Sequence, residues 1–523
     1  MDNTGFGFML EDTYRNNNWI LNQNEAPISE AMDKYARDGA LAFHTPGHKQ
    51  GLGAHPRLKS LITEEGLKQE VSLMEELDDL HEPSGCIKQA EALAAELWGA
   101  RDTMFMINGT TGAIHAMILG TLQPGDKVLV PRNAHRSIIG GIILAGAKPV
   151  YIVPEIMEAL GIAGALSVDA VRKAVAENPD ARALIAVYPT YYGMAGDLQA
   201  IADILHDHNM LLLVDEAHGA HLKFAQHIEG MPKQALDLGA DVVAQSTHKV
   251  LGSMTQTSML HIGSDRVSRE RIREAAALLQ STSPNQLLLA SLDIARLQMA
   301  TEGRKRLERT VELGNWLRQE INKIDGLYCV GDEILDSSAT MWLDKTRITV
   351  NLTGIGLAGP EAELILRHEY KVQCELSDNN NLLFIISMAD TEDIARRLLE
   401  VLKLLVAEHG REKAEKPVVP MELFTANEVA VTPREAFYRA RERVKFAEAA
   451  GCIAAETVIF YPPGVPVLCP GEVIRPELIE AIQKQQGAGM RVVGPADSTL
   501  KYIQIVKPSS LGKVAAKLTD EVQ

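Results

Sequence analysis

From about residue 100 to 265 the chain repeats one pattern, a short unbroken apolar run followed by a stretch of helix length. The runs fall at 127–130, 149–153, 183–188, 210–214, 242–244 and 258–262. Between them lie amphipathic segments such as LQAIADILHDH (198–208), with apolar residues at helical spacing. Apolar runs that are continuous rather than alternating belong to a sheet covered on both faces. Alternation of strand and helix makes such a sheet mostly parallel, with right-handed crossovers. The expected class is α/β.

A sheet buried in this way leaves chemistry only at its edge, and in open parallel sheets ligands bind beyond the carboxyl ends of the strands. The unusual polar residues fall there repeatedly. Asp215-Glu216-Ala217-His218 follows LLLV, Tyr188-Pro189-Thr190 follows ALIAV, and Asn133-Ala134-His135 comes soon after KVLV. His248-Lys249 follows VVAQ by way of Ser246 and Thr247. Four strand ends converge on one edge.

Beyond residue 265 the pattern changes. Residues 267–323 read as helical, and after Asp325-Gly326 a mixed pattern with strands at 347–352 and 382–387 suggests a smaller domain. A charged run at 408–416, then Pro417 and Pro420, reads as a connector to a last segment. The expected division is an N-terminal segment 1–40, a large domain 41–325, a small domain 326–416 and a C-terminal domain 417–523.

Composition excludes several functions. The net charge of −17, from 52 basic and 69 acidic side chains, suits a cationic small molecule better than a nucleic-acid backbone. Five scattered cysteines, never spaced CxxC, argue against a disulfide framework and against a metal site. The N-terminus lacks a basic region followed by an apolar one, and no apolar stretch approaches the roughly 20 residues that span a bilayer. A cytoplasmic protein with no membrane partner is expected. VDEAH (214–218) spells a helicase motif, but the chain has no GxxxxGK[ST] partner for it.

Lys249 raises the sharpest chemical question, because an ammonium at the end of a buried strand is costly unless its charge is neutralised. A covalent imine to an aldehyde cofactor removes that cost. Pyridoxal 5'-phosphate needs a lysine, an acid facing its ring nitrogen, a phosphate cup and a ring-stacking partner. Lys249, Asp215, Thr110 and Thr111 with Ser246 and His248, and His135 supply those parts in that order. In NGTTGAIHA (108–116), Gly109 and Gly112 permit close backbone approach at the start of a helix, where an anion is favoured.

With these residues in view, the chain resembles the short form of the bacterial ornithine/lysine/arginine decarboxylases. The matching stretches are FHTPGHKQG (43–51), LDDLHEPSG (77–85), NGTTGAIHA (108–116), PRNAHRS (131–137), YPTYYG (188–193), LLVDEAHGAH (212–221), STHKVLGSMTQTS (246–258) and AETVIFYPPGVPVLCPGE (455–472). The resemblance implies an aspartate-aminotransferase-like fold, with a mostly parallel, seven-stranded type of large-domain sheet and smaller C-terminal α+β domains. It implies that Lys249 carries the cofactor, Asp215 pairs with the ring nitrogen, His135 stacks on the ring and Ala217 packs beneath it. Ser246, His248, Thr110 and Thr111 would hold the phosphate, and Glu456 would meet the distal cationic group of the substrate.

The reaction implied is decarboxylation of a basic amino acid within polyamine metabolism. Arginine, giving agmatine, is favoured by analogy with short-form relatives, and lysine or ornithine come next. Enzymes of this type build their sites at a dimer interface, so a homodimer or larger homo-oligomer is expected. The larger relatives carry a wing domain ahead of FHTPGHK, where this chain has only about 40 residues. Two alternatives remain open: an aminotransferase of the same fold, and an inactive relative kept for binding. Aminotransferases typically hold the α-carboxylate with an arginine late in the small domain, and LLFIIS (382–387) has none. No role follows for His44, His48 or Lys49.

Overall fold

The computed structural model describes residues 21–336, 339–411, 421–461 and 464–510. The chain divides into two compact units, Met1–Gly120 with Asp241–Gly303, and Thr121–Ala240 with Arg304–Gln523.

The first unit contains the strands Asp102–Met106, Ser258–Ile262 and Val242–Gln245 in that order, all of them buried. Ser258–Ile262 runs antiparallel to both neighbours, with Ser258 opposite Met106 and Ile262 opposite Val242. The last apolar run of the sequence therefore departs from the parallel pattern. Crossing back over a sheet takes a helix of useful length. Residues 246–257 hold only one turn, Thr247–Val250, and the chain reverses instead.

Helix Cys86–Trp98 begins at Gly85, which has no side chain to cap it. Asp78, from LDDLHEPSG, supplies the cap from a distance. Its Oδ2 accepts from the backbone N–H groups of Gly85, Ile87 and Lys88 at 2.8, 3.1 and 3.3 Å, and its Oδ1 from Ser84 at 2.9 Å. A carboxylate at that end also meets the positive pole of the helix. The motif is thus a helix-start device.

In the second unit four parallel strands run in the order Lys148–Ile152, Lys127–Pro131, Ala181–Val187 and Leu211–Asp215. The first unit holds three strands and this one four, in number the seven expected. Amphipathic helices connect them. Leu198–Asp207, capped by the Asp197 carboxylate on the Ala200 N–H, buries the stripe Leu198, Ile201, Ala202 and Leu205. That 3.6-residue periodicity is what the sequence displays.

The same unit carries a four-stranded antiparallel sheet, in the order Tyr328–Cys329, Arg347–Asn351, Asn381–Ile385 and Leu376–Ser377. It packs around Leu317, Ile321, Val350, Leu382, Leu402 and Leu405. Toward the C-terminus a further core of Phe446, Val458, Leu468, Leu478, Ile482 and Ile503 gathers two small antiparallel sheets and the helix Pro476–Gly487. The expected connector residues Pro417 and Pro420, and Pro462 and Pro463 of the YPPG stretch, lie outside the described residues. Among the described residues no helix is long and apolar enough to cross a membrane.

His261, in the first unit, is fully buried and stacked on Trp98 with ring centres 5.7 Å apart. Its Nδ1 lies 2.8 Å from Thr103 Oγ1, and its Nε2 lies 3.1 Å from Gln245 Oε1. Burial pushes its pKa down to about 3. The folded ring stays neutral, whereas the unfolded chain takes up a proton near the ordinary value of about 6.5. As pH falls from 6.5 toward 3, the fold loses about 1.4 kcal/mol per pH unit from this residue. In urea unfolding, the stability advantage of wild type over His261→Asn should narrow by that slope below pH 6.5. A pH-independent difference would contradict the assignment.

Candidate active site

Strand Val242–Gln245 ends at Ser246, and Lys249 stands half-buried on the turn Thr247–Val250 that follows. The Lys249 N–H donates to the Ser246 carbonyl at 3.2 Å, which fixes the turn. The Ser246 hydroxyl is hydrogen-bonded to that of Thr110. Thr110 Oγ1 donates to Ser258 Oγ at 2.9 Å, and Ser258 Oγ donates to the Gln245 carbonyl at 2.7 Å. Thr110 lies in the first turn of helix Gly109–Thr121, beside the exposed Thr111. Gly109 adopts φ +67°, and the space where its Cβ would stand is open. Hydroxyls therefore gather at an accessible helix N-terminus, a setting made for an anion. His248 lies on the same turn as Lys249, its Nδ1 donating to the Thr257 carbonyl at 2.7 Å. Ser258 joins this cluster without having been singled out in the sequence.

In the second unit Asp215 ends the strand Leu211–Asp215 and is only 5% exposed. Its Oδ1 accepts from the Ala217 N–H at 3.1 Å, and its carbonyl accepts from the Tyr188 N–H at 3.0 Å. Glu216 is fully buried and accepts from the Ala235 N–H at 2.8 Å, a structural duty that accounts for the second letter of DEAH. The remainder of the loop is held by a buried arginine that the sequence did not point to. Arg347 Nη2 donates to the His218 carbonyl at 2.7 Å, and His221 Nε2 lies 3.0 Å from Asp344 Oδ2. Burial pushes the Asp344 carboxyl up, but His221 and Arg347 outweigh it and hold it well below the usual carboxylate range. Gly193, the last residue of YPTYYG, makes room for this arginine: at φ +87°, a Cβ there would come 2.8 Å from Arg347 Cγ.

Tyr191 of the same motif packs on His218 with ring centres 4.7 Å apart. Burial, and then the charge of Asp215, push its phenol far up, so it remains a proton donor close to that carboxylate. Tyr191 and Arg347 are both additions to the sequence-derived set.

His135 precedes helix Arg136–Ala145 and accepts at Nδ1 from the Ser137 N–H at 3.3 Å, with Ser137 Oγ at 2.8 Å. Gly464, at φ +91°, lies against its ring: a Cβ there would come within 3.4 Å of Cδ2. Glu456 precedes the strand Val458–Phe460, is 8% exposed, and accepts from the Ala496 and Gln504 N–H groups, each at 2.9 Å. It lines a cavity of about 220 Å³ with Arg443, Asp497 and Tyr502. The other histidine–lysine motif is tied up locally. Lys49 Nζ donates to the His44 carbonyl at 2.6 Å, His48 Nε2 lies 2.7 Å from Glu70 Oε2, and His44 Nε2 lies 2.8 Å from the Tyr35 hydroxyl.

Residues 26–394 match the family Orn/Lys/Arg decarboxylase, major domain, and residues 420–486 match Orn/Lys/Arg decarboxylase, C-terminal domain. The arginine decarboxylase of Bacillus subtilis is 42% identical over 494 residues, spanning 93% of this chain and 99% of that protein. The arginine decarboxylase of Bacillus anthracis is 41% identical, over 93% and 98% of the two chains. In fold, the chain is similar to the Francisella novicida lysine decarboxylase LdcF, with TM-score 0.80 and 22% identity over 92% of this chain and 82% of that one.

The loop that carries Asp215 depends on Arg347 and Asp344. Breaking a buried ionic contact by removing one partner costs about 3–5 kcal/mol, because the other charge is left uncompensated. Arg347→Met should lower the unfolding free energy by that amount, measured from denaturant midpoints at unchanged slope. A loss under about 1 kcal/mol would mean that the guanidinium is not what holds the loop.

Proposed function

The chain belongs to the Orn/Lys/Arg decarboxylase family of carboxy-lyases, and from that premise we propose that it decarboxylates arginine to agmatine with pyridoxal 5'-phosphate as cofactor. The observation that carries the reading is that a lysine and a buried carboxylate each stand where a sheet strand ends, Lys249 just beyond Val242–Gln245 and Asp215 at the end of Leu211–Asp215. Identity to arginine decarboxylases across nearly their whole length supports arginine as the substrate.

The donor set fits the cofactor. The hydroxyls of Thr110, Thr111 and Ser246, with His248, would hold its phosphate at the open helix N-terminus. Lys249 Nζ would hold it covalently. Bound there, pyridoxal phosphate supplies an electron sink for the pair left on the α-carbon when the carboxyl group departs as carbon dioxide.

The residues of the chain set the conditions for that loss. Asp215, its carboxylate oriented by the Ala217 N–H, would keep a proton on the ring nitrogen. His135 would stack on the ring and Ala217 would pack beneath it. Glu456 offers a buried carboxylate to the substrate guanidinium; each of its oxygens uses only one acceptor position on the backbone. The α-carboxylate needs no clamp, since it must shed its charge to leave, and LLFIIS offers no arginine for one. Arg347, buried in the same region, is committed to the His218 carbonyl. This counts against the aminotransferase reading.

We further propose a cytoplasmic homodimer or larger homo-oligomer acting in polyamine synthesis, with no nucleic-acid or membrane partner. The five cysteines, all unpaired, suit a reducing compartment.

Incubating the purified protein and cofactor with arginine, lysine and ornithine in turn should release carbon dioxide and amine fastest from arginine. Preference for another of the three would transfer the proposal to that substrate, and keto acid in place of carbon dioxide would favour the aminotransferase. Asp215→Ala should retain some cofactor while losing several orders of magnitude in kcat, and near-normal turnover would remove Asp215 from its role. Glu456→Gln should lower kcat/KM for arginine about ten- to a hundred-and-fifty-fold, the equivalent of a charge-assisted hydrogen bond of roughly 1.5–3 kcal/mol. Its cofactor absorbance should stay unchanged. Wild-type kinetics on all three amino acids would exclude Glu456 from recognition.

A further inference from the structure

Arg132 and Glu472 form a buried fork-to-fork ion pair. Arg132 Nη1 lies 2.6 Å from Glu472 Oε1 and Nη2 lies 3.0 Å from Oε2, with the two side chains 1% and 0% exposed. Arg132 Nη2 also donates to the Val467 carbonyl at 2.7 Å, and the guanidinium lies 4.7 Å above the Tyr151 ring. Glu472 Oε2 is held in turn by the Cys469 N–H at 2.8 Å and by Asn427 Nδ2 at 2.9 Å. Two elements far apart in sequence are joined here: the loop leaving strand Lys127–Pro131, and the segment after strand Val465–Leu468.

That loop carries His135. Beyond Ser137, at the start of its own helix, the ring of His135 has as neighbour Gly464, whose carbonyl accepts from the Arg136 N–H at 3.3 Å. The loop is therefore gripped at both ends by the C-terminal region, by Glu472 and Val467 at Arg132 and by Gly464 at Arg136. Burying an ion pair brings little net stability, since apolar residues of similar volume often do as well. A planar, bidentate pair does fix direction.

We propose that Arg132 and Glu472 are positioning residues for the cofactor ring, the pair through which the C-terminal region sets the stacking distance of His135. The inference rests on the reading of His135 as the stacking residue. It predicts that the pair controls cofactor binding and turnover independently of how much it contributes to stability.

The test compares the paired apolar variant Arg132→Met with Glu472→Leu against Glu472→Gln, Arg132→Lys and His135→Ala in the full chain. Thermal melting, titration with pyridoxal phosphate followed by visible circular dichroism, and kcat and KM for arginine at saturating cofactor are recorded. A displaced contact near 1 Å can cost up to about a hundredfold. Glu472→Gln should melt lower and bind the cofactor about ten- to a hundredfold more weakly. The paired variant should recover most of the melting temperature yet keep the weakened cofactor binding and a reduced kcat, with KM for arginine unchanged. Arg132→Lys, which retains the charge but loses the fork, should show the same separation without unfolding. Wild-type cofactor affinity and kcat in either of these last two variants would overturn the proposal and leave the pair a purely structural one. If His135→Ala alone binds cofactor with wild-type affinity and dichroism, the stacking assignment itself fails, and the proposal falls with it for that separate reason.

Discussion

A strand covered on both faces can present polar chemistry only where it stops. Leu211–Asp215 is buried along its whole length, and Val242–Gln245 likewise. The first residues free to carry charge or hydroxyl groups are those at the strand ends, which is where Asp215, Ser246 and Lys249 stand. Everything else in the site answers a difficulty this creates. Strand-end loops are short of regular hydrogen bonds, and a reactive group on a loose loop is useless.

Each loop meets the difficulty in its own way. The Thr110–Ser246–Ser258 hydroxyls bond one another and return to the Gln245 carbonyl, so the turn bearing Lys249 is tied to its own strand. The loop after Asp215 is held by Arg347 on the His218 carbonyl, by Asp344 on His221 and by its own Glu216 on the Ala235 N–H. The loop bearing His135 is held by Arg132 to Glu472 and Val467. In the latter two cases a buried arginine reaches into main-chain carbonyls, which are fixed acceptors that a fork of N–H donors fills well.

What could be read in advance follows from the range of the interactions. Apolar continuity and helical spacing are local, so most strands and the crossover helix at Leu198–Asp207 were visible in the sequence, as were the polar residues that interrupt them. Ser258–Ile262 has the same composition as its neighbours, and only the shortness of the 246–257 connection reveals that it runs the other way. Asp102–Met106 was not distinguished, because an aspartate and a threonine break its apolar run; Asp102 is paired with Arg273 at 2.9 Å. The clamps were hidden for a different reason. Arg132 and Glu472 are 340 residues apart, and no local period connects them. Both nevertheless stand inside motif stretches, PRNAHRS and CPGE, whose other residues drew attention first. Gly193 was legible as part of YPTYYG, but its purpose, space for Arg347, exists only in three dimensions.

The central claim is that one lysine, Lys249, holds the cofactor. The most direct test is borohydride reduction of the protein loaded with pyridoxal phosphate, followed by proteolysis and mass spectrometry of the labelled peptide. The account predicts a single phosphopyridoxyl-lysine in the peptide spanning STHKVLG, absent from Lys249→Ala. Stoichiometric label on Lys49 or any other lysine, with Lys249 unmodified, would contradict it.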